Sequence, residues 1–161
     1  MEFVIERRRY ADPAVAGMVE QVQAEYVELY GGPDAAVVDP AEFEPPQGLF
    51  LVGLLDGVPV AMGGWRRISI ADHPDAAEIK RMYVVRTARR QGLSRKLLAE
   101  LERTAAAAGL ARLVLNTGPE QPAAIALYES VGYAPVPGFG HYACHPGALF
   151  YGKPLAVGTP T

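Results

Sequence analysis

The turn Arg89-Arg90-Gln91-Gly92-Leu93-Ser94 constrains this chain more than any other segment, because of what flanks it. A strand-like run, Glu78 to Val85, leads into it, and a helix-like run, Leu93 to Ala108, leaves it. A glycine-bearing turn at such a junction aims several backbone N–H groups at one point. The helix start adds partial positive charge there, so the segment predicts an anion site, phosphate above all. Arg89 and Arg90 add charge-assisted donors. By itself the same segment also describes a solvated arginine-bearing face, and the rest of the chain has to decide between the two.

The surrounding pattern alternates strands and helices. Phe3 to Arg9 reads as a strand. Asp12 before Pro13 is a helix start, and Val15, Met18, Val19, Val22, Tyr26 and Leu29 recur at helical spacing up to Gly31-Gly32. Gly32 to Gly48 reads as a loop with a helical turn near Ala41 to Glu44. Leu49 to Leu55 and Val58 to Ile70 flank Asp56-Gly57, a strong hairpin signal. Ala71 to Asp75 reads as a turn carrying His73, and Ala76 to Val85 as the next strand. Ala111 to Asn116 then reads as a strand, Pro122 to Val131 as a short helix, and Tyr133 to Val136 with Ala148 to Leu155 as a last strand pair. Hairpins supply antiparallel neighbours and crossovers supply parallel ones, so the expected fold is α/β (α+β), a mixed sheet covered by helices. A chain of 161 residues suits one domain, expected over residues 1–155, with 156–161 as a flexible tail.

Composition narrows the function. Hydrophobic residues make up 50% of the chain and charged residues 20%, a balance that excludes a disordered polymer. No apolar run reaches the roughly 18 residues of a membrane span, and Met1 to Arg9 lacks a signal core, so no membrane partner is expected. Cys144 is the single cysteine, which excludes an internal disulfide and fits a reducing cytoplasm; it has no ligating company, and no metal is expected. A formal charge of −3 argues against nucleic acid as the main partner. The local basic group of Arg86, Arg89, Arg90, Arg95 and Lys96 suits a phosphorylated small molecule instead. A P-loop nucleotide site is excluded, because no Gly-x-x-x-x-Gly-Lys-Ser/Thr exists and Gly92 is a lone motif glycine.

Three segments taken together say more. Glu78-Ile79-Lys80-Arg81-Met82-Tyr83-Val84, then Arg89-x-x-Gly92-x-Ser94, then Gln121-Pro122-Ala123-Ala124-Ile125-Ala126-Leu127-Tyr128-Glu129-Ser130-Val131-Gly132-Tyr133 resemble the GCN5-related N-acetyltransferase (GNAT) superfamily over about Phe50 to Lys153. Two positions depart from the family pattern: Ser94 stands where Gly or Ala is usual, and Gln121 where Asn is usual. The resemblance implies a mostly antiparallel sheet with a V-shaped splay between strands 4 and 5, and acetyl-CoA in the gap. Its pyrophosphate is expected on Arg89, Arg90, Gln91, Gly92, Leu93 and Ser94, where a side chain at Gly92 would crowd it. The pantetheine is expected along the backbone of Met82, Tyr83 and Val84, with Asn116 and Gln121 nearby. A backbone N–H near Val84 is implied for the thioester carbonyl.

Acetyl transfer to an amine needs a base for the ammonium and a donor for the departing thiolate. Tyr128 matches the family's general acid; the alternative is a packing tyrosine. Glu78 matches the glutamate that one branch of the family uses as base. Period-two alternation is expected to set Glu78, Lys80, Met82 and Val84 on one strand face. An apolar setting there would raise the Glu78 pKa and improve it as a base. The alternative is a salt bridge to Lys80 or Arg81. Asn116 occupies the position of the base in another branch, and an amide cannot serve. For the acceptor, Tyr26, Tyr30, Trp65, Phe139, His141 and Tyr142 with Glu25, Glu28 and Asp34 would suit a cationic amine, or else pack and solvate as ordinary residues. The expected function is N-acetyl transfer to a small primary amine, such as an amino acid, polyamine or amino sugar, through a ternary complex. A non-catalytic CoA-binding module and a protein-lysine or N-terminal acetyltransferase are the alternatives. Family members are often dimers, and pairing of two copies through an exposed last strand is the corresponding expectation.

Overall fold

Local signals explain where the elements begin and stop. Asp12 accepts a bond from the Ala14 N–H (2.9 Å) and starts helix α1 (Pro13–Tyr30); Gly31, left-handed at φ 79°, ends it by donating to the Val27 carbonyl. The Asp56-Gly57 turn, with both residues at positive φ, joins β2 (Gly48–Leu55) to β3 (Val58–Ile70). The computed structural model describes residues 2–35, 38–70 and 73–155, the side chain of residue 73 excepted. Within them β1 (Phe3–Arg7), β4 (His73–Val84), α2 (Leu93–Ala107), β5 (Arg112–Thr117), α3 (Pro122–Ser130), β6 (Ala134–Pro135) and β7 (Leu149–Pro154) complete the chain. The expected tail and positions 71 and 72 of the expected turn lie outside the described residues.

The strands form one sheet in the order β1-β2-β3-β4-β5-β7-β6, antiparallel except for the β4–β5 pair. One face packs on α2 through Trp65, Ile79, Val84, Leu97, Leu101 and Leu113. The other packs on α1 through Val15, Met18, Val22, Phe50, Val52 and Met62. Each apolar sheet face is thereby covered by a helix, the arrangement a two-faced mixed sheet requires.

The splay expected between the fourth and fifth strands is present. Pairing of β4 with β5 is limited to Ala76↔Arg112, Ala77↔Leu113 and Glu78↔Val114, after which the strands part. The divergence coincides with a bulge in β4, where the register with β3 shifts between Met62 and Gly64 and Arg81 takes φ 61°. An inserted residue bends a strand and increases its twist.

That bulge corrects the expected alternation. Glu78, Lys80 and Tyr83 face the α1 side, whereas Met82 and Val84 pack with the α2 cluster, so the four residues expected on one face are divided between two. Two boundaries also move. His73 already pairs with Ile70, so β4 begins inside the expected turn. The last strand, β7, lies between β5 and the two-residue β6, so it is not the sheet edge that was expected.

Candidate active site

At the C-terminal end of β4 the backbone takes an unusual path. Arg90 (φ 66°) and Gly92 (φ 76°) both adopt left-handed conformations, which turn the chain sharply into α2. Helix α2 starts at Gly92 without a side-chain cap, leaving the N–H groups of its first turn facing outward. A Cβ on Gly92 would meet no protein atom within 4 Å, and the positive φ adds a conformational reason for glycine at this position. The space in front of the turn is open. Gln91 and Ser94 flank it, while Leu93 is buried as an anchor.

Arg89 does other work than expected. Its Nε donates to the Val84 carbonyl (2.8 Å), Nη2 donates to Glu25 (2.8 and 2.9 Å), and the guanidinium lies 5.4 Å from the Tyr83 ring centroid. Arg89 therefore ties α1 to the end of β4. Glu25 and Glu28, considered for the acceptor, serve here instead, Glu28 pairing with Arg86 at 2.8 Å. Burial pushes the Glu25 carboxyl up, but bonds from Tyr83 and Arg89 and the charge of Arg86 outweigh it and hold it below its ordinary 4.5.

Beyond Glu78 the edge of β4 has no strand partner. The Val85 N–H donates across to Val60 of β3 (2.9 Å), so strand alternation turns the Val84 N–H to the opposite edge, into the splay. The Val84 carbonyl on that edge is occupied by Arg89. The splay holds a cleft of about 500 Å³ lined by Lys80, Arg81 and Met82 on β4, Leu115 and Asn116 on β5, and Tyr128 on α3. Tyr26 and Tyr30 of α1 close one side. Tyr30 lies flat over Gly118, where an added Cβ would fall 2.3 Å from its hydroxyl, and that hydroxyl accepts from Gln121 (3.1 Å). Gln121, instead of capping α3, pins Tyr30.

Tyr128 is buried, with its ring edge-on to Tyr133 at 5.6 Å. Burial, with a smaller contribution from Tyr26, pushes its hydroxyl well above the ordinary phenol value. The hydroxyl makes no hydrogen bond among the described residues, yet no polar side-chain atom there is both buried and unpartnered. The Tyr128 oxygen is therefore open to the cleft.

A second cavity of about 380 Å³ adjoins the first, sharing Lys80, Asn116 and Tyr142 as a common wall. Glu42, Arg66, Glu78, Phe139 and His141 line the rest. Glu78 faces Arg66 across the β3–β4 register, and its Oε1 accepts from both Nε (3.2 Å) and Nη2 (3.1 Å). The apolar setting expected for Glu78 is thus replaced by an ion pair, and with a partner other than Lys80 or Arg81. Arg66 also pairs with Glu42 (3.1 Å). Glu78 Oε2 has no bond among the described residues and, by the reasoning used for Tyr128, opens to the cavity.

Asp34, before β2, joins several elements. It pairs with Lys80 (2.7 Å) and Arg81 (3.3 Å), accepts from the Tyr142 hydroxyl (2.7 Å), and its main chain bonds Gln23 of α1. Asp34 was expected to offer its carboxylate to a cationic amine or to solvent; its role as the counter-ion of two buried cations was missed. Trp65, expected at the acceptor, lies instead in the α2 core, donating to Thr104 Oγ1 (3.0 Å). Its strand register points it to that face.

Comparison with known proteins agrees with this geometry. The profile of the Acetyltransferase (GNAT) family matches residues 16–133. A protein of Azospirillum brasilense named IAA acetyltransferase is 36% identical over 151 residues, spanning 94% of this chain and 97% of its own. A solved protein from Klebsiella pneumoniae, provisionally described as an acyl-CoA N-acyltransferase, superposes with a TM-score of 0.78 at 28% identity, covering 96% of this chain and 98% of the other. The fold is also that of the PaiA N-acetyltransferase of Thermoplasma acidophilum, solved with coenzyme A (TM-score 0.71, 13% identity, 96% and 99% covered).

Proposed function

The chain belongs to the GNAT family of acetyltransferases and is an acetyl-CoA-dependent acyltransferase, and from that premise we propose that it acetylates a small primary amine by direct attack in a ternary complex. The observation that carries this reading is the meeting of two cavities at Lys80, Asn116 and Tyr142, with Tyr128 opening into one and Glu78 into the other. A donor and an acceptor can approach from either side of one wall, which gives the reaction its proximity.

The residues fit the donor. The uncapped start of α2 and the left-handed Arg90 and Gly92 suit the pyrophosphate, and the open β4 edge suits the pantetheine amides. Acetyl-CoA supplies an activated thioester. The Val84 N–H donates to its carbonyl oxygen, where negative charge grows as the amine attacks. Glu78 Oε2 takes the first proton of the ammonium, directly or through water, and passes it to solvent. The new C–N bond forms as the C–S bond breaks, and the proton then shed by the nitrogen balances the one the sulfur gains.

Tyr128 donates a hydrogen bond to the departing sulfur. Thiols titrate near 8.5, below a phenol raised by burial, so Tyr128 stabilises the thiolate by hydrogen bonding more than by outright surrender of its proton.

Titration calorimetry with acetyl-CoA, followed by free-thiol release across an amine panel, tests the reading. Binding with amine-dependent release, reduced about tenfold or more in Glu78→Gln, is the expected result. Donor binding with no release for any amine would leave a CoA-binding module.

A further inference from the structure

The charges around the acceptor cavity are unequally divided. On one side Lys80 and Arg81, whose side chains are only 6% and 5% exposed, share the single carboxylate of Asp34 as their ion-pair partner among the described residues. On the other side Glu78 and Glu42 both pair with the guanidinium of Arg66, their ion-pair partner among the described residues. Among the described residues, Lys80 at the wall between the two cavities thus shares one carboxylate with Arg81, and in the acceptor cavity two carboxylates face one guanidinium. A buried charge without a full counter-ion is costly, and each side is completed by a ligand group of the opposite sign.

We infer that the acceptor is a compact zwitterion, an α-amino acid, whose carboxylate is read by Lys80 and whose ammonium lies on the Glu42–Glu78 side; this rests on the N-acetylation proposed above. Lys80 and Glu78 are two residues apart on one face of β4, hence roughly 7 Å apart along the strand. Both line the same cavity, so a ligand holding its opposite charges close together can engage both. A polyamine would bring only cations toward Lys80, and an amino sugar would bring no carboxylate to it. Lys80 is therefore a specificity-determining residue, not a proton carrier.

The test uses wild-type protein at about pH 8, where histidine is mostly neutral. Thiol release is measured for each common α-amino acid against its carboxamide, its decarboxylated amine, a polyamine and an amino sugar. The best acid is expected to exceed its carboxamide by about 100-fold or more in kcat/KM, because a site built for a polar group rejects the analogue lacking it. Lys80→Gln should raise KM for that acid about tenfold or more and shrink the preference for acid over carboxamide by a similar factor. Equal or better turnover of carboxamides, polyamines or amino sugars overturns the inference while N-acetylation stands. A uniform loss of kcat in Lys80→Gln for acid and amide alike also overturns it, assigning the Lys80 charge to the thioester side. No release with any amine sinks both readings. The wild-type comparison needs no variant, so poor folding of Lys80→Gln leaves it decisive.

Discussion

At the proposed donor end of β4 the groups assigned to the ligand are backbone amides, exposed and aimed by Arg90 and Gly92 in left-handed conformations. In the proposed acceptor cavity they are charged side chains, Arg66 of β3 and Glu78 and Lys80 of β4 being buried, with Glu42 brought in from the loop before β2. The first site depends on local conformation and touches little of the core. The second depends on mutual neutralisation of charges and is part of the core. Damage at the donor end should therefore cost ligand affinity, whereas damage at the acceptor end should cost the fold.

Tyr128 lies between the two ends, and its removal is expected to have the largest effect. Tyr128→Phe keeps the ring packed on Tyr133 and deletes only the open hydroxyl, so kcat should fall about 100-fold or more with acetyl-CoA affinity little changed, read by thiol release and calorimetry. An unchanged kcat would make Tyr128 a packing residue.

Asp34→Asn probes the acceptor end directly. It strips Lys80 and Arg81 of their shared carboxylate and should destabilise the fold by about 3 kcal/mol in urea titration. A loss under about 1 kcal/mol would mean that water already solvates this cluster, and the contrast between the ends would weaken.

Gly92→Ala probes the donor end. Holding a side chain at φ 76° costs about 1–2 kcal/mol, and relaxation of the turn should weaken acetyl-CoA binding about tenfold while thermal stability changes less than in Asp34→Asn. Affinity unaltered by this change would show that the turn does not hold the phosphates.

The smallest effect is on pH dependence, and its two limbs report different regions. Glu25 is held below its ordinary 4.5, so its contribution is full above that pH and is lost as pH falls through the lowered folded value; Glu25→Gln should flatten this acid limb. Burial above all, helped by the Asp34 charge, raises Tyr26 from 10.0 to about 12, so its contribution is full below pH 10 and is lost as pH rises toward 12. Tyr26→Phe should flatten the alkaline limb alone, as measured by thermal midpoints across pH.

The donor end was readable because its parts are neighbours in the chain. Strand, glycine turn and helix follow one another from Met82 to Leu101, and the α1 start at Asp12-Pro13 and the Asp56-Gly57 hairpin are equally local. The acceptor residues were readable as residue types but not as partners. Glu78 was expected in an apolar setting, yet the β3–β4 register sets Arg66 opposite it. Glu25 was expected in the pocket, yet α1 packs so that it meets Arg89. Trp65 was expected there too, and strand alternation turned it to the α2 side.

From the sequence alone came the order of elements, the covered mixed sheet, the glycine turn between strand and helix, and the family that these motifs resemble. Those features rest on periodicity, caps and turn chemistry, each set within a few residues of backbone. Only the tertiary structure decided which charges neutralise one another and which cavity each enters. Asp34 meets Arg81 across 47 positions of the chain and Tyr142 across 108. Such pairings follow from strand register, from the bulge at Arg81 and from how loops close over the sheet, and no local pattern of residues encodes them.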